Sequence, residues 1–88
     1  MPWRLRFEKR AQKELAALGS ADRERIARFL RDRVVNRADP RDIGEALAGP
    51  FRGYWKYRVG DYRIIASIED EVVTVTVIRI GNRREIYR

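Results

Sequence analysis

The feature of this sequence that most constrains its fold is Gly60-Asp61, a dipeptide between two runs of alternating residues. Glycine in the first position of a two-residue loop is typical of a type II′ hairpin turn, because only glycine takes the required positive φ without strain. The pattern predicts a β-hairpin in which Val59 pairs with Tyr62 and Arg58 pairs with Arg63. A slip of one residue in this register would exchange the two faces of the hairpin.

Side chains alternate between the faces of a strand, so the hairpin should have one core face and one cationic face. The core face is predicted to carry Trp55, Tyr57, Val59, Tyr62, Ile64, Ala66 and Ile68. The opposite face carries Lys56, Arg58 and Arg63, which we call the cationic plate. Like charges opposed across a sheet destabilise it by up to about 1 kcal/mol per pair. Solvated strand faces also carry Arg and Lys, but three cations without an acid at positions 54, 56, 58, 63 or 65 favour a polyanion site.

The composition limits the chemistry that is open to this chain. It has 88 residues and a net charge of +7, and it contains neither Cys nor His. The length is typical of one domain, which we assign to residues 1–88. Without Cys or His, a Ser-His or Cys-His nucleophile is excluded, and we expect no transition-metal site and no cofactor. The positive charge favours an acidic partner, such as nucleic acid, an anionic surface or an acidic protein.

The sequence contains no targeting signal that we can identify. No apolar run approaches the ~20 residues of a membrane span, and the N-terminus lacks the apolar segment of a signal peptide. The absence of cysteine suits a reducing compartment. We therefore expect a soluble, cytoplasmic protein without a membrane partner.

Hydrophobic periodicity predicts one strand and two helices before the hairpin. Residues 3–7 alternate and indicate a strand with its apolar side chains inward. The period then changes to that of an amphipathic helix, which should end at Gly19, and Ser20 is a good N-cap for a second helix. That helix should run to about Val35 or Asn36, because Asp39-Pro40 cannot continue it.

The rest of the chain predicts a short helical element and a third strand. Residues 41–52 indicate a helical turn docked on the core. After a turn near Asp70-Glu71, a strand from Val72 to about Ile80 follows, with Glu69 paired to Val72 and with Val73, Val75 and Val77 facing the core. The predicted fold is α+β: an N-terminal strand, a two-helix hairpin and a three-stranded antiparallel meander, with the helices packed on one sheet face. The other face should be open to solvent and should carry the cationic plate.

Three segments, residues 47–50, 54–63 and 78–88, resemble the RelE/ParE superfamily of bacterial toxin–antitoxin toxins. The resemblance covers essentially the whole chain, and its most specific parts are the hairpin and the terminal Arg83-Arg84-Glu85-Ile86-Tyr87. It implies a RelE-like microbial RNase fold. The RelE branch consists of ribosome-dependent endoribonucleases that cut mRNA in the A site, whereas the ParE branch inhibits DNA gyrase.

The resemblance also implies a set of catalytic residues. Five positions match the basic and tyrosine residues of RelE-type enzymes and favour the RNase branch: Lys56, Arg58, Arg63, Arg83 and Tyr87. Two positions depart from the pattern. Asn82 stands where many relatives have histidine, and Arg58 stands where the best-known enzymes have lysine. Because arginine hardly gives up a proton at neutral pH, the role of Arg58 should be electrostatic.

The implied reaction is metal-independent and gives 2′,3′-cyclic phosphate and 5′-hydroxyl ends. Arg58, Arg63 and Arg83 would stabilise the charge on the phosphorane. The base would be Lys56 or Tyr87, because neighbouring cations favour a neutral lysine or a tyrosinate. The sequence leaves this choice open, and without the resemblance Tyr87 would be interpreted as packing on the sheet edge.

The resemblance further implies partners: an acidic, RelB-like antitoxin, the ribosome and mRNA. The toxin alone is expected to be a monomer that forms a higher-order complex with its antitoxin. Two alternatives stay open at this point. One is a ParE-like inhibitor of DNA gyrase on the same fold, and the other is a non-catalytic nucleic-acid-binding module.

Overall fold

The computed structural model describes residues 3–82, in which a helical layer covers one face of a β-sheet. The elements are β1 (Arg4–Phe7), α1 (Lys9–Ala16), α2 (Ser20–Phe29), β2 (Glu45–Ala46), β3 (Trp55–Val59), β4 (Tyr62–Glu69) and β5 (Thr74–Asn82). A π-helical turn, Leu30–Val34, continues α2, and short 3₁₀ helices occupy Pro40–Ile43 and Gly49–Phe51. The predicted α+β class and order of elements are confirmed. No helix within residues 3–82 has both the length and the apolar character needed to cross a membrane.

The sheet has the strand order β1-β5-β4-β3-β2, and it is larger than the predicted meander. β1 joins it by pairing parallel to β5, whereas the other neighbours are antiparallel. The prediction of a helical turn from residue 41 is right for Pro40–Ile43 and wrong for Glu45–Ala46, which form β2 against β3. A strand of two residues is too short for its alternation to be recognised in a sequence.

The central hairpin has the predicted register. Val59 pairs with Tyr62, and Arg58 pairs with Arg63. Gly60 has a φ of 59°, while Asp61 does not have a positive φ, as a type II′ turn requires. A side chain at Gly60 would also meet the guanidinium of Arg25, at 2.9 Å from the added Cβ. The exposed Arg25 side chain can move away, so it is the positive φ that selects glycine at this position.

The second hairpin differs from the prediction by two residues. Glu69 pairs with Thr74 rather than with Val72, because the turn extends over Asp70–Val73. A shift of two residues preserves the alternation of faces, so Val75 and Val77 are buried as predicted, whereas Val73 is exposed in the turn. A bulge follows at residue 78, since Ile65 pairs with Arg79 and Ala66 pairs with Val77.

The core lies between the helices and one face of the sheet. Its helical side is formed by Ala11, Ile26, Leu30 and Val34, and its sheet side includes Tyr57, Val59, Ile64, Ala66, Val75, Val77 and Ile80. Trp55, Tyr62 and Ile68 are partly buried against this cluster, so the predicted core face of the hairpin is confirmed. α1 ends at Ala16, before the predicted Gly19. α2 begins at Ser20 with Gly19 in the N-cap position, so the prediction of Ser20 as the N-cap is wrong by one residue.

The opposite face of the sheet is less open than the sequence predicts. Arg63 is 9% exposed and Ile65 is 1% exposed, although both alternate away from the core face. Both residues belong to β4, which has β3 on one side and β5 on the other. A long side chain on such a central strand can lie along its neighbours and bury its stem.

Val73 has a φ of 48°, which is an unfavourable conformation for a β-branched residue. We expect Val73→Asn to raise the free energy of unfolding by about 0.5–1 kcal/mol, because asparagine tolerates this conformation and Val73 is already exposed. Thermal unfolding should show a midpoint a few degrees higher. Val72→Asn is the matched control, since Val72 is also exposed but does not have a positive φ. Equal effects of the two substitutions would contradict the explanation.

Candidate functional site

Three cations lie together on the face of the hairpin that is turned away from the helices. Arg58 and Arg63 are direct cross-strand partners, and Lys56, which pairs with Ile65, is the next residue of β3 on the same face. Arg63 is the most buried of the three, Lys56 is partly buried and Arg58 is exposed. The cationic plate predicted from the sequence is therefore present, with a buried inner arginine and an accessible outer one.

A carboxylate that sequence reasoning missed joins the plate. β2 places Glu45 directly opposite Lys56, and Lys56 Nζ lies 3.0 Å from Glu45 Oε2. The hydrogen bond and charge of Lys56 lower the pKa of Glu45, and Arg58 and Arg63 act in the same direction from further away. Glu45 is therefore a carboxylate at neutral pH, in contact with one cation and within the field of two others.

Tyr57 supports the segment that carries Glu45. Its hydroxyl donates a hydrogen bond of 2.7 Å to the carbonyl oxygen of Pro40. A Cβ added to Gly44 would lie 3.1 Å from the Tyr57 ring, so the backbone immediately before Glu45 rests closely on that ring. This close approach explains why glycine precedes Glu45, and it sets the position of β2 relative to the plate.

Burial of the hydroxyl raises the pKa of Tyr57 to about 12. A tyrosine with a raised pKa keeps a proton that the unfolded chain loses above about pH 10, so the free energy of unfolding should fall as the pH rises from about 10 to 12. We expect Tyr57→Phe to cost about 1–3 kcal/mol at neutral pH, because the Pro40 carbonyl loses its buried partner. The cost relative to wild type should shrink as the pH rises towards 12.

Urea unfolding of both proteins at neutral and alkaline pH checks this prediction. The phenylalanine variant should still show some loss of stability, because the hydrogen bond to Asp22 raises the pKa of Tyr62. A constant difference between the two proteins from pH 7 to pH 12 would contradict the assigned role of the Tyr57 hydroxyl.

A cleft of about 230 Å³ runs beside the edge of β3. It is lined by Phe29, Arg33, Ile43, Glu45, Lys56, Arg58 and Arg63. β2 covers only the first two residues of β3, so the edge of the strand near Arg58 is free of a β-partner among the described residues. The cleft therefore connects the cationic plate with the end of the α2 helical segment.

The C-terminal half of β5 is held by a carboxylate from α1. Glu14 accepts hydrogen bonds from the backbone N–H of Ile80 at 2.9 Å and from Arg79 Nε at 3.1 Å. Beyond Val77, β5 has no β1 partner, so Glu14 satisfies a donor at an edge that no strand within residues 3–82 covers. Arg83 and Tyr87 follow this strand but lie outside the described residues, and their roles stay predictions.

The arrangement is suited to binding and stabilising a phosphate. Two arginines and one lysine can donate to its oxygens, and the adjacent carboxylate can accept a proton. Within residues 3–82, no group of three or more acidic side chains is placed to hold a metal ion.

Comparison with known proteins identifies the family. The family model described as the ParE toxin of type II toxin-antitoxin system, parDE, matches residues 5–87. The chain belongs to this family. It is a toxin of a toxin–antitoxin system, and the resemblance to the RelE/ParE superfamily seen in the sequence is confirmed.

Individual relatives of this toxin are RelE-type proteins. It is 30% identical over 88 residues to Toxin RelG of Mycobacterium tuberculosis, covering 100% of this chain and 99% of the relative. It is 37% identical over 90 residues to the mRNA interferase toxin RelE of Escherichia coli K12, covering 99% and 92%. Its fold matches the toxin–antitoxin complex RelBE2 of M. tuberculosis with a TM-score of 0.86 and 26% identity, over 97% of this chain and 95% of the other.

Proposed function

We propose that this toxin is a ribosome-dependent, metal-independent endoribonuclease that cuts mRNA in the A site and thereby inhibits translation. The observation that carries the proposal is the placement of Lys56, Arg58 and Arg63 on one face, with Glu45 in contact with Lys56. The similarity to the mRNA interferase RelE supports the same reaction.

The proposed reaction is an attack of the RNA 2′-hydroxyl on the adjacent phosphorus. The new O2′–P bond replaces the P–O5′ bond, and the leaving O5′ takes up a proton from water, which leaves a 2′,3′-cyclic phosphate and a 5′-hydroxyl. Arg58 and Arg63 would donate to the non-bridging oxygens, where negative charge grows in the transition state. Arg83 keeps the same proposed role, and Tyr87 stays a candidate for proton transfer.

Glu45 adds a candidate for the base that the sequence alone did not suggest. The 2′-hydroxyl must lose its proton, and a carboxylate can take it without first losing one itself. Because Lys56 lowers the pKa of Glu45, this carboxylate is a weak base and would take the proton as the O2′–P bond forms. Lys56 is an ion-pair partner of Glu45, so Lys56 would have to leave this pair and become neutral before it could accept a proton. We therefore assign the base to Glu45 and assign to Lys56 the roles of orienting Glu45 and contacting the phosphate.

The proposed protein partner is an acidic, partly disordered antitoxin segment that folds against this basic domain. A solved structure similar to the toxin is itself a toxin–antitoxin complex, which supports such a partner. Co-purification with the product of the neighbouring gene, followed by calorimetry, checks this. The absence of a tight complex would contradict it.

The experiment that tests the enzymatic proposal uses purified toxin, programmed ribosomes and mRNA, with new 5′ ends mapped by primer extension. Naked mRNA and an Arg83→Ala variant serve as controls. Cuts inside A-site codons, present only with ribosomes and lost in the variant, are the expected result. Absence of cleavage, with supercoiling by gyrase inhibited in a parallel reaction, would support the ParE-like alternative instead.

A further inference from the structure

Arg33 is a cation of the cleft that belongs to no part of the catalytic set. It lies in the π-helical turn that continues α2, and its side chain lines the same cleft as Lys56, Arg58 and Arg63. π-Helical turns are rare and occur frequently at functional sites. The turn is closed by a hydrogen bond of 3.0 Å from the Val35 N–H to the Leu30 carbonyl, five residues earlier.

Arg33 also differs from its neighbours in its charge partners. Arg28 pairs with Glu24 at 3.0 Å, and Arg31 lies 3.9 Å from a carboxylate oxygen of Asp32. Within the part of the chain that the structure describes, no ion pair engages Arg33. Among the described residues that line the cleft, there are four cations, with Arg33 included, and one carboxylate, that of Glu45. An excess of this kind in a concave site attracts a polyanion.

Two apolar side chains line the cleft together with Arg33. Phe29 precedes Arg33 by four residues, which places the two side chains on the same side of the helical segment, and Ile43 also belongs to the cleft lining. The Phe29 ring is held by an edge-on contact with Tyr57, with ring centroids 6.3 Å apart. A cation beside an aromatic ring is suited to a nucleotide, because the phosphate can contact the cation and the base can pack on the ring.

We propose that Arg33 binds a backbone phosphate of the RNA next to the one that is cut, so that the RNA strand crosses the exposed edge of β3 towards the end of the α2 segment. This inference rests on the proposed function, since it takes single-stranded RNA as the ligand. It extends the RNA-binding surface from the cationic plate on the sheet to the helical layer, which carries Arg33. Arg33 acts in binding and takes no part in proton transfer.

The test measures binding of a short, fluorescein-labelled single-stranded RNA by anisotropy, with 2′-O-methyl groups that prevent cleavage. Each phosphate contact contributes about 0.7 to the slope of log K against log salt for single strands. Arg33→Ala should lower the slope by about 0.7 and weaken binding about fivefold to tenfold at 50 mM salt. Arg33→Lys should keep the slope, because it keeps the charge.

Arg31→Ala is the matched control, because Arg31 belongs to the same turn and is exposed but does not line the cleft. It should leave the slope unchanged. Equal effects of Arg31→Ala and Arg33→Ala, or no effect of either, would overturn the proposal. Circular dichroism of each variant confirms that the fold is retained, which is expected for exposed arginines.

A second measurement separates this inference from the proposed function. In single-turnover cleavage on programmed ribosomes, Arg33→Ala should raise the toxin concentration needed for half-maximal rate and leave the rate at saturation close to that of wild type. If wild-type protein cuts no message but Arg33→Ala still lowers the salt slope, the proposed function fails and the Arg33 contact stands. A fall in the saturating rate alone would contradict a binding role.

Discussion

Replacement of Arg63 by alanine is expected to slow the cleavage of ribosome-bound mRNA by about 10²–10³-fold. Arg63 is 9% exposed on the central strand β4 and directly opposes Arg58. A buried cation needs little reorganisation when charge develops on the phosphate. Its removal should therefore raise the energy of the transition state more than that of the bound substrate. Single-turnover rates at saturating toxin measure this effect.

The control for charge is Arg52→Ala, which removes an exposed arginine outside the cleft. It should change the saturating rate less than threefold. The Arg63→Ala protein should remain folded, because the substitution also relieves the opposition of two like charges across the sheet. A rate within threefold of wild type for a folded Arg63→Ala protein would show that Arg63 is not catalytic.

The second large effect is expected for Glu45→Gln, which should lower the rate of cleavage by about 10²–10⁴-fold. Glutamine has nearly the same shape as glutamate but cannot accept the proton of the 2′-hydroxyl. Because Glu45 is exposed, the free energy of unfolding should change little. Lys56→Met should reduce the rate less than Glu45→Gln, since it removes the partner and not the proton acceptor. The reverse order would return the role of base to Lys56.

The pH dependence of the wild-type rate provides an independent check on the base. Lys56 and the other cations lower the pKa of Glu45 from its ordinary value of 4.5, so the carboxylate is fully formed above that pH. The rate should therefore be nearly constant between about pH 6 and 8 and should fall only in more acidic solution. A rise of about tenfold per pH unit in this range would indicate that Lys56 or Tyr87 is the base.

The sequence predicted the cationic plate because the information that specifies it is local. Gly60-Asp61 determines the turn, and alternation on either side then assigns Lys56, Arg58 and Arg63 to one face. The structure has this register. The strand order is less local, and the parallel pairing of β1 with β5 joins residues about seventy positions apart. The sequence contains a clear β1 but no signal for its partner.

Glu45 could not be predicted for the same reason. β2 has only two residues, and its pairing with β3 depends on two contacts of Tyr57. The Tyr57 ring packs against Gly44, and the Tyr57 hydroxyl donates a hydrogen bond to the Pro40 carbonyl. Val73 is the reason why the second turn was predicted in the wrong place. A β-branched residue is disfavoured at positive φ, so Val73 was expected in the strand, whereas it belongs to the loop. Arg33 lies on a helical segment with many exposed arginines, and its place in the lining of the cleft, which distinguishes it from them, is not visible in the sequence.

The most direct test of the account uses a message with one 2′-deoxynucleotide at the position in the A-site codon that wild-type toxin cuts in the all-ribose message. Cleavage at this position should be lost, because the attacking 2′-hydroxyl is absent, while an identical codon elsewhere in the same message should still be cut when it enters the A site. Cleavage that persists at the deoxy position, with 5′-phosphate ends, would contradict a metal-free attack by the 2′-hydroxyl at the cationic plate.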